Sequence, residues 1–165
     1  MHLFLLYRIS EGYGVNVKLD SKPIKGDWNG AGAHTNFSTK EMRAKGGFAA
    51  CVKAASRLGM AVTGLDVHIG EKYKASHFPH FLLSSDDDLS KKIDVYGTGY
   101  RDRLTGEHET CSYKQFKFGV ADRTASVRIP LHVEVNGKGY IEDRRPCANI
   151  DPYLVVSYIM QTTLS

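Results

Sequence analysis

The sequence predicts an α+β fold, an antiparallel sheet with flanking helices. Three observations predict it. Apolar residues alternate at Val127 and Ile129 and again at Val133 and Val135, suggesting two strands around Pro130. Asn136-Gly137 is a tight-turn signal, so a hairpin is expected between Val133–Val135 and Lys138–Glu142. Two helix starts complete the pattern: Ser38 with Glu41 three residues later, and Asp151 followed by Pro152. The mixture implies more antiparallel than parallel pairing, which reads as α+β.

Residues 2–10 cluster apolar side chains and suit a helix that Gly12 and Gly14 stop. Val15, Val17 and Leu19 alternate, which argues a strand. Gly26, Gly30 and Gly32 punctuate the next loop, whose backbone must turn sharply or approach a ligand closely. The Ser38–Glu41 capping box opens a helix over roughly 39–58. Residues 89–96 suit another helix or its displaced continuation. The last helix runs from Asp151-Pro152 to about Thr163. Residues 59–88 have no sustained period, three histidines and an acidic run, and are read as an insertion.

At 165 residues the expectation is one domain. The apolar fraction of 42% and charged fraction of 24% are those of an ordinary soluble protein. A net charge of +4 is mild for a nucleic-acid binder, which wants a denser basic stripe. The arginines cluster: Arg101, Arg103, Arg123, Arg128, Arg144 and Arg145 fall between 101 and 145, interspersed with carboxylates. That makes a mixed site rather than a polyanion track. Cys51, Cys111 and Cys147 fit neither a zinc pattern nor a disulfide framework, and are read as reduced thiols in a cytoplasmic setting. The opening MHLFLLY is too short and too weakly cationic for a signal peptide. No run approaches the ~20 apolar residues of a membrane span.

Several residues admit two readings. His34 is either a metal ligand through a neutral imidazole nitrogen or a structural histidine held by local hydrogen bonds. The neighbouring Asn29, Gly30 and Gly32 favour the former, because exposed backbone amides suit a small anion. Glu142 lies beside Asp143, Arg144 and Arg145. It is either part of a solvated ion-pair face or an oxygen ligand for Mg²⁺ or Mn²⁺, with arginine binding a substrate oxyanion. Arg123 and Arg128 are five apart, so a bend is needed for both to reach one ligand. Arg103 and Glu109 flank Gly106 either in a flap over an active site or in an ordinary surface loop.

Four segments, GDWNGAGAHTNFSTKEMR, RLTGEHET, GVADRTASVRIP and GKGYIEDRRPCANIDPY, resemble the C-terminal half of a eukaryotic-type glutamine synthetase. They run in family order and cover most of the chain outside 59–88. The resemblance implies residues 1–165 as one partial catalytic domain. It also implies ATP-dependent ligation of ammonia to the γ-carboxylate of L-glutamate through γ-glutamyl phosphate. By motif match, His34 and Glu142 would be metal ligands for Mg²⁺ or Mn²⁺. Asn29 and Gly30 would hold glutamate, and Arg103 its carboxylate. Asn36, Phe37, Ser38 and Tyr140 would line the ATP site. Arg123 and Arg128 would bind phosphates, and Arg144 the transferring phosphoryl group or substrate. Glu109 would shield the acyl phosphate and help deprotonate ammonium.

The resemblance also has gaps. The family carries an N-terminal β-grasp domain and most of its metal-binding glutamates upstream of the matched region, and it assembles as stacked rings. Leu131 stands where the family usually has arginine, and Ile141 where it has an aromatic. Tyr100 stands in place of a more usual asparagine. A competing expectation is therefore a catalytically inactive fragment or relative that binds ligands or partner subunits. Uncovered apolar surface and self-association are expected for the chain alone. Neither nucleic acid nor membrane is expected as a partner.

Overall fold

The computed structural model describes residues 2–60, 66–69 and 95–164. The elements in chain order are α1 (His2–Gly12), β1 (Thr35–Phe37), α2 (Lys40–Arg43), α3 (Phe48–Met60) and β2 (Asp66–Ile69). They continue with α4 (Tyr100–Arg103), β3 (Gln115–Val120), β4 (Val127–Ile129), α5 (Leu131–Asn136), β5 (Ile141–Asp143) and α6 (Pro152–Leu164). The strands form one sheet in the order β1-β5-β4-β3-β2.

The sheet is mixed, which corrects the antiparallel expectation. β5 pairs antiparallel with both β1 and β4, whereas β3 runs parallel to both β4 and β2. The expected hairpin does not form. Leu131–Asn136 is a helix, and Gly137 caps it at φ 66° with its N–H on Glu134 O. The Lys138 N–H bonds back to Val133 O at 3.1 Å, closing the cap. A two-residue hairpin and a left-handed helix cap make the same demand for positive φ, so Asn-Gly served either. Val133 points into the core while Val135 is 75% exposed, so the residues read as a strand face split around a helix.

The other helices follow their sequence signals in part. Asp151 Oδ1 accepts from the N–H groups of Tyr153 (2.8 Å) and Leu154 (3.3 Å), starting α6 at Pro152. The expected helix over 39–58 is two helices broken around Gly46-Gly47. Thr39, not Ser38, caps the first, its Oγ1 accepting from Met42 N at 3.2 Å. Ser38 Oγ accepts instead from Arg43 Nη1 at 2.6 Å. Val15, Val17 and Leu19 make no strand. Alternation creates one only where a neighbour supplies a ladder and one face is buried, and here Val15 is 59% exposed. Of the expected helix at 89–96, residues 89–94 lie outside the described residues, and Val95-Tyr96 form a turn. Most of 59–88 also lies outside them, although Asp66–Ile69 adds the sheet's β2.

The core forms between one face of the sheet and two helices. Cys51, Ala54, Ala55 and Leu58 recur at three- and four-residue steps along α3, so they share one stripe. That stripe joins Phe116 and Phe118 of β3, Val127 and Ile129 of β4, Ile141 of β5 and Val155 and Ile159 of α6, all buried. Burial pushes the Cys51 thiol up to about 11, and all three cysteines are unpaired and buried. No helix among the described residues is long and apolar enough to cross a membrane. In contrast, α1 buries none of its side chains, and Phe4 (69%) and Ile9 (60%) are among those it exposes.

Phe116 is fully buried at the centre of this core. Phe116→Ala is expected to cost about 3–5 kcal/mol by chemical denaturation, the usual toll of an aromatic cavity. A loss under about 1 kcal/mol would mean that α3 does not pack on the sheet as described.

Candidate functional site

The site begins as a row of residues across the sheet face opposite the core. In the strand register Asn36 lies beside Glu142, Glu142 beside Arg128, and Arg128 beside Gly119. Alternation puts their neighbours Phe37, Ile141, Val127, Ile129 and Phe118 on the other face. The apolar residues of four short strands thus fix which polar ones face outward.

Glu142 is the centre of this row and is only 7% exposed. Its Oε2 lies 2.6 Å from Arg128 Nε, and its Oε1 lies 3.2 Å from His34 Nδ1 and 3.4 Å from Arg144 Nη1. The Arg128 contact is an ion pair rather than a hydrogen bond. The Arg144 Nε–H is buried and has no acceptor among the described residues, whereas Arg128 Nε lies against the Glu142 carboxylate. Buried donors are nearly always satisfied, so the Arg144 Nε–H stands out as a buried donor without a partner in this arrangement.

His34 immediately precedes β1 and sits between an acceptor and a donor. Arg103 Nη2 lies 3.3 Å from its Nε2. A guanidinium can only donate, so Nε2 carries the lone pair and the Nδ1–H faces Glu142. Burial, then the Arg144 charge, hold the His34 imidazolium below the usual histidine range, with Arg103 adding to this and Glu142 opposing it. Neutral His34 therefore prevails at pH 7.

Arg103, at the end of α4, is 5% exposed and its guanidinium is turned inward. Its Nη1 donates to Arg145 O at 3.0 Å and its Nη2 to Arg144 O at 3.0 Å. Gly30 and Gly32 make room for this side chain. A Cβ on Gly30 would come 2.7 Å from Ser21 O and 2.9 Å from Arg103 Cγ, and one on Gly32 would overlap the guanidinium itself. The glycine loop is therefore a channel for Arg103, and Ala33 N–H secures it to Pro146 O at 2.9 Å. Asn29 is exposed on the same loop.

Glu109 and Arg123 complete the group at its rim. Arg144 Nη2 donates to Glu109 O at 3.2 Å, and Arg123 Nε lies 3.2 Å from Glu109 Oε2. Arg123 sits in the 121–126 loop between β3 and β4, which supplies the bend required to bring Arg123 and Arg128 to one region. The nucleotide candidates divide. Asn36 is exposed on the row, whereas Phe37 packs against the core and Tyr140 is half-buried with its ring 5.5 Å from that of His132. Ser38 is occupied by Arg43.

Sequence reasoning missed the support behind the row. In Glu142-Asp143-Arg144-Arg145, Glu142 and Arg144 face the site, while Asp143 and Arg145 point the other way. Arg145 Nε and Nη2 donate to Asp143 Oδ1 (2.9 Å) and Oδ2 (2.8 Å), and Tyr96 OH donates to Oδ2 (3.0 Å). The Arg145 guanidinium lies between the rings of Tyr96 (4.6 Å) and Phe116 (5.1 Å). Burial alone would lower its affinity for the proton, but Asp143 and Tyr96 outweigh it and hold Arg145 charged. Strand alternation was the signal that could have separated these two pairs.

His34 and Glu142 supply two donors for a divalent ion. Hard cations take about six oxygen-rich ligands, and here Arg103, Arg128 and Arg144 also crowd the pair with positive charge. Among the described residues, these two do not by themselves make a divalent-cation site. The group of three metal-ligating side chains found among those residues is elsewhere, Asp27, Glu107 and His108.

The mixed α+β sheet thus carries one carboxylate, Glu142, beside Arg128, Arg144 and His34, with Arg103 behind His34. Comparison with known proteins is more specific. The chain is 48% identical over 98% of its length to a glutamine synthetase of Streptomyces viridochromogenes, covering 39% of that protein. It is 47% identical over 98% to a glutamine synthetase of Alnus glutinosa, covering 38%. It is also 46% identical over 98% to a chloroplastic/mitochondrial glutamine synthetase of Arabidopsis thaliana, covering 31%. No protein-family model matches the chain. Over nearly its whole length, then, the chain is similar to glutamine synthetases, and it spans less than two-fifths of the length of these relatives.

Two outcomes follow from this geometry. Gly32→Ala is expected to displace Arg103 and lower the melting temperature by several degrees, in line with ~1–3 kcal/mol for overpacking. An unchanged melt would mean the guanidinium has room to spare. For His34, the folded pKa is lowered, so its contribution to stability is present above the unfolded histidine pKa and is lost as pH falls below it. Its imidazole titration, followed by NMR, should have a midpoint below that of free histidine; a midpoint above it would show that Glu142 outweighs the arginines.

Proposed function

We propose that this chain serves glutamine synthetase chemistry: ATP-dependent ligation of ammonia to the γ-carboxylate of L-glutamate through γ-glutamyl phosphate. The observation that carries this reading is the similarity over 98% of the chain to proteins named glutamine synthetase. The guanidinium groups of Arg128 and Arg144 gathered beside Glu142 support it, because guanidinium forks suit phosphoryl and carboxylate oxygens.

In this reading the chain's residues act by position and charge, as phosphoryl transfer requires. Arg123, Arg128 and Arg144 hold phosphate oxygens, with Arg144 nearest the transferring group. Asn29 and Gly30 hold glutamate. Arg103 as the ligand of its carboxylate would have to exchange a carbonyl for it, since Arg144 O and Arg145 O now occupy its Nη groups. Asn36, Phe37, Ser38 and Tyr140 line the nucleotide, Phe37 through its backbone. Glu109 shields the acyl phosphate from water and takes a proton from ammonium. Mg²⁺ or Mn²⁺ would neutralise phosphate charge when bound, and His34 and Glu142 would need further ligands from outside the described residues to hold it.

A second reading is that the chain is a catalytically inactive relative that binds ligands or partner subunits. The two-donor His34–Glu142 pair favours it. Both readings meet in one assay. Glutamine formation by the purified chain with glutamate, ammonia, ATP and Mg²⁺ or Mn²⁺ is expected to fall at least ~10²-fold in Arg144→Ala, the scale of a lost transition-state charge contact. Turnover that persists in the variant would remove Arg144 from the chemistry. Folded protein with no turnover would select the inactive reading.

A further inference from the structure

The loop 105–110 is held down at three points. Arg144 binds its backbone at Glu109 O, Arg123 meets the Glu109 carboxylate, and His108 Nε2 lies 2.7 Å from Asp27 Oδ1. The first two contacts belong to the site already described. The third belongs to nothing assigned so far and joins the loop to the glycine loop. The loop is also tied within itself: Thr110 Oγ1 donates to Glu107 O at 2.7 Å and accepts from Gly106 N at 3.3 Å.

The backbone at this point is under load. His108 (φ 51°) and Glu109 (φ 58°) adopt left-handed conformations in sequence, and neither is glycine. Residues with a Cβ enter that region at a cost and stay there only when surrounding contacts hold them. Here those contacts lie outside the loop, on Asp27, Arg123 and Arg144. Glu107 stands near the same point, its carboxylate within 4.8 Å of the Asp27 and His108 ligand atoms.

We propose that Asp27 and His108 are the catch of a strap. They are positioning residues that keep the loop 105–110 closed and so set Glu109 over the Glu142 cluster. This rests on the reading of Glu109 as the shielding carboxylate. Asp27 is 90% exposed and the His108 side chain 31%. Exposed pairs are weak, which suits a contact that must release for ligands to enter and re-form once they are bound. Release would let the left-handed residues relax, so strain and catch oppose each other.

Hydrogen exchange on the whole chain tests the catch without requiring activity. In Asp27→Ala the amides of 105–110 should exchange about threefold faster, as for loss of one weak exposed pair in a local opening. β3, β4 and β5 should keep their protection, and Asp20→Ala, which removes an exposed acid elsewhere, should behave as the unaltered chain. Exchanging the partners (Asp27→His with His108→Asp) should restore slow exchange. Unchanged exchange in 105–110, or acceleration spread through the sheet, would overturn the proposal. If the chain makes glutamine, Asp27→Ala should also release more phosphate per glutamine formed, and an unaltered ratio would overturn the positioning role. If it makes none, the proposed chemistry fails while the exchange result still decides the catch.

Discussion

The site depends on the charge balance around one carboxylate. Glu142 faces Arg128, Arg144 and the neutral His34 at 2.6–3.4 Å from a position nearly closed to water. Removing such an anion would leave guanidiniums repelling one another in a poorly solvated place, and uncompensated buried charge is far more damaging than a missing surface pair. The arrangement nonetheless leaves the buried Arg144 Nε–H unfilled among the described residues. Glu142 therefore suffices to assemble the arginines without fully satisfying them. A cluster in that state is held in place by the protein alone, and such preorganisation is what the proposed electrostatic role would need.

A three-residue strand can hold Glu142 in place because its other side is anchored. Asp143 is 1% exposed, and it is bound through both oxygens by Arg145 and through one by Tyr96. Arg145 in turn lies between two aromatic rings of the core. Two ion pairs thus alternate along one short segment, the forward pair on the site face and the rear pair on the core face. A buried pair of this kind is weak evidence for net stability. Its evident effect is on register, because a slip of one residue would bring Asp143 and Arg145 to the site and drive Glu142 into the core.

Much of this was legible in the sequence, and the misses have physical causes. His34, Glu142, Arg128, Arg144, Glu109 and Arg123 were all singled out, and they form one connected group. Helix starts at Asp151 and near Ser38 could be read because capping is local chemistry, accurate to a residue. Sheet direction could not, because Asn136-Gly137 meets the demand for positive φ of a hairpin and of a helix cap equally. The choice fell to Val133, whose burial is a tertiary fact. Val15, Val17 and Leu19 alternated without a ladder to join, so pattern alone was insufficient.

The glycine loop shows the same limit at the level of function. Exposed glycines beside a histidine suggested backbone amides offered to an anion. In the structure Gly30 and Gly32 face Arg103, whose side chain fills the space that a Cβ would need. Arg103 then ties the carbonyls of Arg144 and Arg145 to His34. The absent side chains thus serve the site at one remove: they admit the arginine that fixes the backbone carrying Arg144. A glycine-rich segment next to a charged cluster is consequently ambiguous between a cradle for ligand and a channel for a protein side chain. Only the direction in which the missing Cβ would have pointed separates the two.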